Sequence, residues 1–248
     1  NYGPMDGRPL LKQALARFID RRIVRDDRPR VKEDHVSCAA GAAACLNNLF
    51  LSICEAGDAV LIPAPYYAAF DADLGAICDL RRVPVRLRKG DFALTRSSLD
   101  AAYDAAGGAR ALLLTNPHNP TGRCLTADEL RLAVDWCDSK KMHLVSDEVY
   151  ALSTLRSDRP FVSLGLVVRG VLGDRRHVVW GLSKDFGMSG LRFGCVWTQN
   201  ERVMQALGTA AMFGAVPGVC QAMVTELLLD DTFCDGYLRA NAVALRLS

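Results

Sequence analysis

The sequence has 248 residues, of which 50% are hydrophobic and 23% are charged, and its formal net charge is +2. A chain of this length can bury one large core or two small ones. Acidic and basic residues are interspersed without a long basic run, so we expect no nucleic-acid partner. The apolar stretches are too short to cross a bilayer, so we also expect no membrane partner.

Cysteines and histidines lack the spacing of disulfide frameworks and metal sites. The nine cysteines form no Cys-x-x-Cys pair, and in a chain with a full-sized core they predict buried thiols in a reducing, cytoplasmic compartment. The four histidines are far apart in the sequence, so we expect no metal site.

Helical and extended patterns alternate along the chain. We predict helices at 10–19, 41–54, 66–74, 98–106, 126–140 and over most of the chain after 198, and strands at 36–40, 59–63, 80–85, 111–115, 142–146, 177–182 and 191–198. Short apolar strands between helices predict an α/β fold: three layers, with a mostly parallel sheet covered by helices on both faces. Because ligands bind at the carboxyl ends of the strands in such sheets, the residues that follow each strand are the candidates for a site.

The first candidate segment, TNPHNPTG at 115–122, follows the strand at 111–115. Its prolines fix a rigid turn, from which the amide of an asparagine such as Asn119 could donate to a ring oxygen or a carboxylate. Asparagines in such a turn can equally cap their own backbone. Taken alone, the segment leaves both interpretations open.

The second segment, SDEVY at 146–150, follows the strand at 142–146. A carboxylate at the end of a buried strand destabilises the fold unless a cation or hydrogen-bond donors meet it. Asp147 opposite a protonated pyridine nitrogen would satisfy that requirement, and Tyr150 could hydrogen-bond a cofactor oxygen. The alternative is an aspartate that caps a helix beside a half-buried tyrosine.

The third segment, SKDFGMSGLR at 183–192, follows the strand at 177–182. A lysine among small residues at a strand end can be desolvated, which frees its amine as a nucleophile. Lys184 is that lysine, and Arg192 offers a forked donor for a phosphate. The alternative is a surface lysine in a glycine-rich loop.

The fourth segment is the turn of Gly41, Ala42 and Ala43, where the strand at 36–40 passes into a helix. The free amides and the dipole at a helix N-terminus suit a phosphate. Most such turns bind nothing, so this segment supports a phosphate site only in combination with the other three segments.

Five motifs occur in order: YGPMDG at 2–7, GDAVLIPAPYY at 57–67, NPTG at 119–122, SDEVY at 146–150 and SKDFGMSGLR at 183–192. Together they resemble the fold-type I enzymes of pyridoxal 5'-phosphate (PLP) in the aminotransferase class I/II family. Within that family they most resemble 1-aminocyclopropane-1-carboxylate synthase and synthase-like proteins. The resemblance runs over nearly the whole chain and implies PLP as cofactor and an amino acid as substrate.

The resemblance implies a role for each residue that touches the reacting end of the cofactor. Lys184 would form the internal aldimine and would then move the proton at the substrate Cα. Asp147 would keep the pyridine nitrogen protonated, which makes the ring an electron sink. Tyr150 and Asn119 would hydrogen-bond the ring oxygen. Tyr67 would stack on the ring face, with Tyr66 as its substitute.

The resemblance also implies how the phosphate is held. Ser183 and Arg192 would contact the phosphate region together with the amides of the turn, namely those of Gly41, Ala42 and Ala43. Tyr2 matches a residue that reaches the phosphate of a partner subunit, which implies a homodimer with shared sites.

Two positions depart from the family pattern. Ala43 replaces the usual hydroxyl in the phosphate-binding turn, and Gly181 replaces a serine that commonly stands three residues before the lysine. Each change removes a phosphate donor, at a net loss of about 1 kcal/mol apiece. Lys184, Arg192 and Asp147 remain, so we expect cofactor binding to survive.

The resemblance divides the chain into a PLP-binding large domain at 1–230 and the start of a connection to a small domain at 231–248. The sequence opens on a turn without a methionine and closes within a helical pattern at Ser248, so we expect it to be part of a longer protein. In this family the arginine that binds the substrate carboxylate belongs to the small domain. Which amino acid is the substrate is therefore left open.

The leading hypothesis is a PLP-dependent enzyme acting at Cα of an amino acid, either an aminotransferase or a synthase-like lyase. The alternative, motivated by Ala43 and Gly181, is a PLP-binding homologue with little or no turnover that serves in regulation or assembly. A nucleotide-binding α/β protein ranks far behind, because both the G-x-G-x-x-G and the P-loop patterns are missing.

Overall fold

The centre of the molecule is a single sheet. In the computed structural model, which describes residues 3–26, 30–154 and 159–247, seven strands lie in the order β1-β7-β6-β5-β4-β2-β3. They are β1 (Val36–Ala39), β2 (Ala59–Ala64), β3 (Arg81–Arg86), β4 (Ala111–Thr115), β5 (His143–Asp147), β6 (Arg176–Gly181) and β7 (Gly194–Thr198). Only β7 pairs antiparallel, with β1 on one side and β6 on the other. The predicted mostly parallel sheet is confirmed.

Helices cover both faces of this sheet. In the described residues they are α1 (Pro9–Phe18), α2 (Ala42–Ile53), α3 (Phe70–Gly75), α4 (Arg96–Ala106), α5 (Ala127–Lys140), α6 (Leu164–Val167), α7 (Leu182–Asp185), α8 (Glu201–Ala210), α9 (Gly218–Leu229) and α10 (Asp231–Leu247). Successive side chains of a strand point to opposite faces, so Leu112 and Leu114 pack in one core with α1, α4, α5 and α9. Leu113 packs in the other core with α2, α3 and α8. The three-layer prediction is confirmed.

Three element boundaries differ from the prediction, each for a local reason. Helix α4 begins at Arg96 because Thr95 forms a capping box with Ser98. Helix α3 begins only at Phe70, so the two tyrosines before it lie in an irregular turn. Strand β7 begins at Gly194 because a short 3₁₀ turn and a left-handed Arg192 precede it.

Helix α10 folds back onto the amino-terminal part of the chain. Arg22 lies in a π-helical turn that follows α1, and its side chain is 9% exposed. Its guanidinium contacts Asp231, at 2.8 Å from Nη2 to Oδ1, and also Asp235. A nearly buried guanidinium needs such partners, so these contacts fix the first turns of α10. The domain boundary predicted at 230 falls between α9 and α10 and stays a prediction.

All nine cysteines are free thiols, and seven of them are buried. In the ranges described above, no three or more His, Cys, Asp or Glu side chains group as metal ligands would. Among the described helices, none combines the length and the apolar character that a bilayer crossing needs.

Two buried histidines stack between neighbouring strands at the amino-terminal edge of the sheet. His143 Nδ1 lies 3.0 Å from His177 Nε2, and His177 Nδ1 lies 2.8 Å from Thr198 Oγ1. Burial lowers the pKa of His177 to about 3 and that of His143 to about 4. Both rings are therefore neutral near pH 7, and each is a source of acid sensitivity.

We expect His177→Asn to change the pH dependence of stability. A histidine that stays neutral in the folded chain but takes up a proton when unfolded loses stability as pH falls below about 6.5. The free energy of unfolding of the parent should therefore fall relative to the variant by about 2 kcal/mol between pH 7 and pH 5. Urea denaturation at the two pH values measures this difference. A gap that stays constant with pH would contradict the prediction.

Candidate functional site

The four predicted strand-end segments meet at one edge of the sheet. Strands β1, β4, β5 and β6 all end at this edge, and β7 starts there, because Gly194 pairs with both Ala39 and Gly181. Asp147 pairs with Thr115 on one side and Val179 on the other. The sheet topology thus brings residues that are far apart in the sequence into one site.

Asp147 is the buried charge of this site. It ends β5 with 5% of its surface exposed. Of the described residues, Val149 alone donates to its carboxylate, from a backbone N–H at 3.2 Å. Burial raises the pKa of Asp147 to about 7, against the Val149 hydrogen bond, and the charge of Asp73 adds to the rise. A carboxyl in this state is stabilised by any cation that reaches it.

Asn119 and Tyr150 form a polar pair next to Asp147. The Asn119 side-chain amide donates to the Tyr150 hydroxyl at 3.4 Å. Burial raises the pKa of Tyr150, and the charge of Asp147 raises it further. The phenol therefore stays protonated near neutral pH and can donate to an acceptor within the site.

Only one of the two asparagines in the 115–122 turn faces the site. Asn116 is fully buried, where its amide donates to the Val162 carbonyl at 2.9 Å and its carbonyl accepts from the Leu125 N–H at 2.9 Å. It therefore holds the turn in place, as the backbone-capping interpretation requires. Asn119, in contrast, points to Tyr150.

Lys184 lies on the open side of the site. It belongs to α7, which follows β6 without a loop, and its side chain is exposed. The amine Nζ lies 5.9 Å from the centre of the Tyr150 ring. Ser183 precedes it in the same turn and is half-buried. The Lys184 amine and the Tyr150 phenol thus share one opening, and the amine is exposed to solvent rather than desolvated as the sequence led us to expect.

The turn of Gly41, Ala42 and Ala43 depends on two glycines in close contact. Gly41 has a left-handed φ of 96°, and α2 begins at the next residue, so its first amides have no partner within the helix. A Cβ on Gly41 would lie 2.5 Å from Arg192 Nη2. A Cβ on Gly194 would lie 2.6 Å from the Gly41 carbonyl carbon. Sequence reasoning misses Gly194, for which the available signal is its position two residues after Arg192.

Arg192 lies beside this turn. Its backbone is left-handed, with φ of 49°, and its Nη2 donates to the Ala40 carbonyl at 3.3 Å. Its Nη1 donates to the Ser189 carbonyl at 3.2 Å. The guanidinium is exposed and adds a positive charge to the helix N-terminus, an arrangement that suits a phosphate.

Of the two neighbouring tyrosines, Tyr67 is the one left open to the site. The Tyr66 hydroxyl donates to Asp71 at 3.0 Å, and its ring packs against the core. The Tyr67 ring is 46% exposed, meets Phe70 edge-on at 5.5 Å and contributes to the raised pKa of Tyr150. Tyr2 lies outside the described residues.

The packing of two strands explains why position 181 is a glycine, which the sequence alone does not show. A Cβ at this position would lie 2.8 Å from the Phe193 carbonyl oxygen, because β6 and β7 approach closely there. A serine would force these two strands apart. Ala43, in contrast, is the second residue of α2 and is half-buried, so an added hydroxyl has fewer obstacles.

A cavity of about 740 Å³ opens next to the Asn119–Tyr150 pair. Its wall includes Phe92, His118, Asn119, Thr121, Tyr150 and Arg159. Its size is within the range of small-molecule pockets.

The model of the family "Aminotransferase class I and II" matches residues 1–246. The chain belongs to this family. It is 35% identical over 252 residues to 1-aminocyclopropane-1-carboxylate synthase 9 of Arabidopsis thaliana, with 97% of this chain and 53% of that protein covered. It is 36% identical over 244 residues to synthase 5 of Oryza sativa subsp. japonica, covering 95% of this chain and 45% of that one. The chain thus spans about half the length of the curated relatives it matches.

Solved structures of aminotransferases share the fold. The aspartate aminotransferase from Thermus thermophilus with maleate has a TM-score of 0.86 at 23% identity. The match covers 99% of this chain and 62% of the aminotransferase chain. The aspartate aminotransferase from Rhizobium meliloti has a TM-score of 0.85 at 24% identity, covering 99% of this chain and 59% of its own. Both likenesses extend over the sheet and its helices.

We expect a serine at position 181 and a serine at position 43 to have different effects on the free energy of unfolding. Gly181→Ser should lower the free energy of unfolding by about 1–3 kcal/mol, because its Cβ overpacks the β6–β7 contact. Ala43→Ser should leave stability within about 0.5 kcal/mol of the parent. Urea denaturation of both variants tests this. Equal stability of the two variants would contradict the packing explanation of Gly181.

Proposed function

We propose that the chain is the cofactor-binding part of a PLP enzyme that acts at Cα of an amino acid, as an aminotransferase or a 1-aminocyclopropane-1-carboxylate synthase-like lyase. The observation that carries the proposal is the placement of Lys184 and the buried Asp147 around Tyr150 at one sheet edge. Family membership and the names of the similar synthases support it.

The residues present fit PLP at each of its polar ends. Asp147, a buried carboxyl with one protein donor among the described residues, fits the protonated pyridine nitrogen. Asn119 and Tyr150 fit the ring oxygen. The Gly41 turn and Arg192 fit the phosphate. When bound, PLP would supply an electron sink for a carbanion at the substrate Cα.

The other steps belong to side chains of this chain. Lys184 would supply the amine that binds the cofactor and would take the proton from the substrate Cα. Tyr150 stays protonated and would donate a hydrogen bond to the ring oxygen, while Tyr67 would restrain the ring on one face. Asp147 would hold the positive charge at the pyridine nitrogen, because a buried carboxylate is destabilised without a cation.

The geometry favours turnover over an inert binding protein. The inert alternative rested on two lost phosphate donors, and Gly181 is accounted for by strand packing. Lys184, Asp147, Tyr150 and Arg192 are all retained at this end of the sheet, and a protein without turnover has no need for all four. Transamination and elimination both begin with removal of the Cα proton, so these residues serve either outcome.

Lys184→Ala should abolish the visible absorbance of the covalently bound cofactor. The fold should persist, because the Lys184 side chain is exposed and packs on little. Absorbance spectra after addition of PLP, with circular dichroism for the fold, measure both. Lys32→Ala, another exposed lysine, is the matched control and should keep the parent spectrum. An unchanged spectrum in Lys184→Ala would rule out the assignment.

A panel of amino acids then separates turnover from inert binding. The PLP-loaded protein should convert part of its cofactor to the amine form, or release an elimination product, with at least one amino acid. No spectral change with any member of the panel would favour the binding homologue.

We also propose a homodimer, supported by an exposed apolar patch beside the phosphate turn. The patch consists of Leu10, Met212, Phe213, Val219 and Met223, each more than half exposed. Gly214 next to it accepts a hydrogen bond from Ala40 at 2.8 Å, so the patch is continuous with the turn. A second copy seated there would bring its own residues close to the phosphate, as the expected role of Tyr2 requires.

Phe213→Asp should convert the dimer to monomers. Phe213 is 91% exposed, and a charge at the centre of an apolar interface weakens association by about 30-fold or more. Sedimentation velocity over a concentration series measures the shift. Ile77→Asp, at an equally apolar site 60% exposed near the opposite sheet edge, should leave the dimer intact. A Phe213→Asp protein that sediments like the parent would contradict the patch as the interface.

Two further expectations stay proposals. Residues 1–230 would form the PLP-binding domain, with the segment from 231 leading toward a small domain that completes the substrate site. The cysteine content favours a cytoplasmic location.

A further inference from the structure

The aspartate that follows Lys184 is buried, although its neighbour is exposed. Asp185 has no exposed surface and ends the short helix α7. Its carboxylate accepts hydrogen bonds from the Leu152 N–H at 3.1 Å, the Ser153 hydroxyl at 2.7 Å and the Trp180 indole N–H at 2.9 Å. The sequence motif named this residue but gave it no role.

These three donors belong to two separate parts of the site. Trp180 lies in β6, directly before the turn of Lys184. Leu152 and Ser153 follow Tyr150 in the next segment of the chain. One carboxylate therefore joins the turn that carries the amine to the segment that carries the phenol. No other described side chain hydrogen-bonds both of these segments.

The opposite side of the same turn is held by α10. The Tyr237 hydroxyl donates to the Phe186 carbonyl at 2.6 Å, and the two rings stack at 5.3 Å. The Asn241 amide donates to the Asp185 carbonyl at 3.4 Å. With the backbone fixed on this side, a change at Asp185 acts mainly on the side that faces Tyr150.

We propose that Asp185 is a positioning residue, which sets the separation and the electrostatic coupling between the Lys184 amine and the Tyr150 phenol. This inference rests on the proposed function. Asp185 acts on the site through its charge as well as through its hydrogen bonds. The pKa of Tyr150 is raised first by burial, then by the charge of Asp147, and also by the charge of Asp185.

Asp185→Asn keeps the shape but replaces an acceptor by a donor, so at least one of the three donors loses its partner. In the holoenzyme we expect the pH midpoint of the cofactor absorbance to fall by about 1 unit, because the hydrogen-bond geometry is lost together with the negative charge that Asp185 carries above its raised pKa of about 7. We expect kcat to fall about tenfold with KM within twofold, because misplacement of a reacting group affects the chemical step.

Glu148→Gln is the matched control. Glu148 is also fully buried and also accepts three hydrogen bonds, from Ser146 Oγ at 3.0 Å, Ser163 Oγ at 2.7 Å and the Leu164 N–H at 2.8 Å. Its side chain ties β5 to α6, and among the described residues it makes no hydrogen bond to the Lys184 turn. We expect it to lower the Tm of the apoprotein about as much as Asp185→Asn does, with the absorbance midpoint unchanged.

Ser153→Ala provides a milder variant should Asp185→Asn fold poorly. It removes one hydrogen bond to Asp185 and should move the midpoint in the same direction by less than half as much. Equal losses of Tm with no movement of the midpoint in Asp185→Asn or Ser153→Ala would overturn the proposal and leave Asp185 as a structural residue. Failure of the proposed function would give a different result, because the cofactor absorbance would then be the same in Lys184→Ala as in the parent protein.

Discussion

The arrangement of the site depends on close backbone contacts at three glycines. Strand β7 lies between β1 and β6, and Gly194 at its start packs against the Gly41 peptide on one side and pairs with Gly181 on the other. A side chain on Gly194 would meet the Gly41 peptide, one on Gly181 would meet the Phe193 carbonyl, and one on Gly41 would displace the Arg192 guanidinium. Because the phosphate turn, the Arg192 turn and the Lys184 turn all leave from this junction, their spacing follows from it.

Three buried carboxyls lie near this junction, and they differ in how well the protein satisfies them. Burial raises the pKa values of Asp147, Glu148 and Asp185, each to about 7. The side chains of Glu148 and Asp185 each accept three hydrogen bonds from described residues, while that of Asp147 accepts one. A buried carboxyl that is satisfied holds structure together. A buried carboxyl with few hydrogen-bond donors, such as Asp147, is the one expected to pair with a bound cation.

The sequence was sufficient for the three layers, the mostly parallel sheet and the strand ends where the candidate residues lie, because apolar strands and capping boxes are local signals. It was insufficient where a residue's role depends on a neighbour in space. Gly181 read as a lost phosphate donor, yet it is required by the Phe193 carbonyl. The role of Asn116 in holding its turn and the role of Asp185 depend on contacts with residues more than 30 positions away in the sequence.

The Lys184 turn is held from both sides, by Asp185 toward Tyr150 and by Tyr237 and Asn241 from α10. A lysine that first binds a cofactor and then reaches the substrate Cα has to move its amine. Since the backbone of the turn is fixed, that movement falls to the flexible four-carbon stem. Because the backbone is fixed and the stem is flexible, the amine could reach both the cofactor and the substrate Cα without a change in the strands.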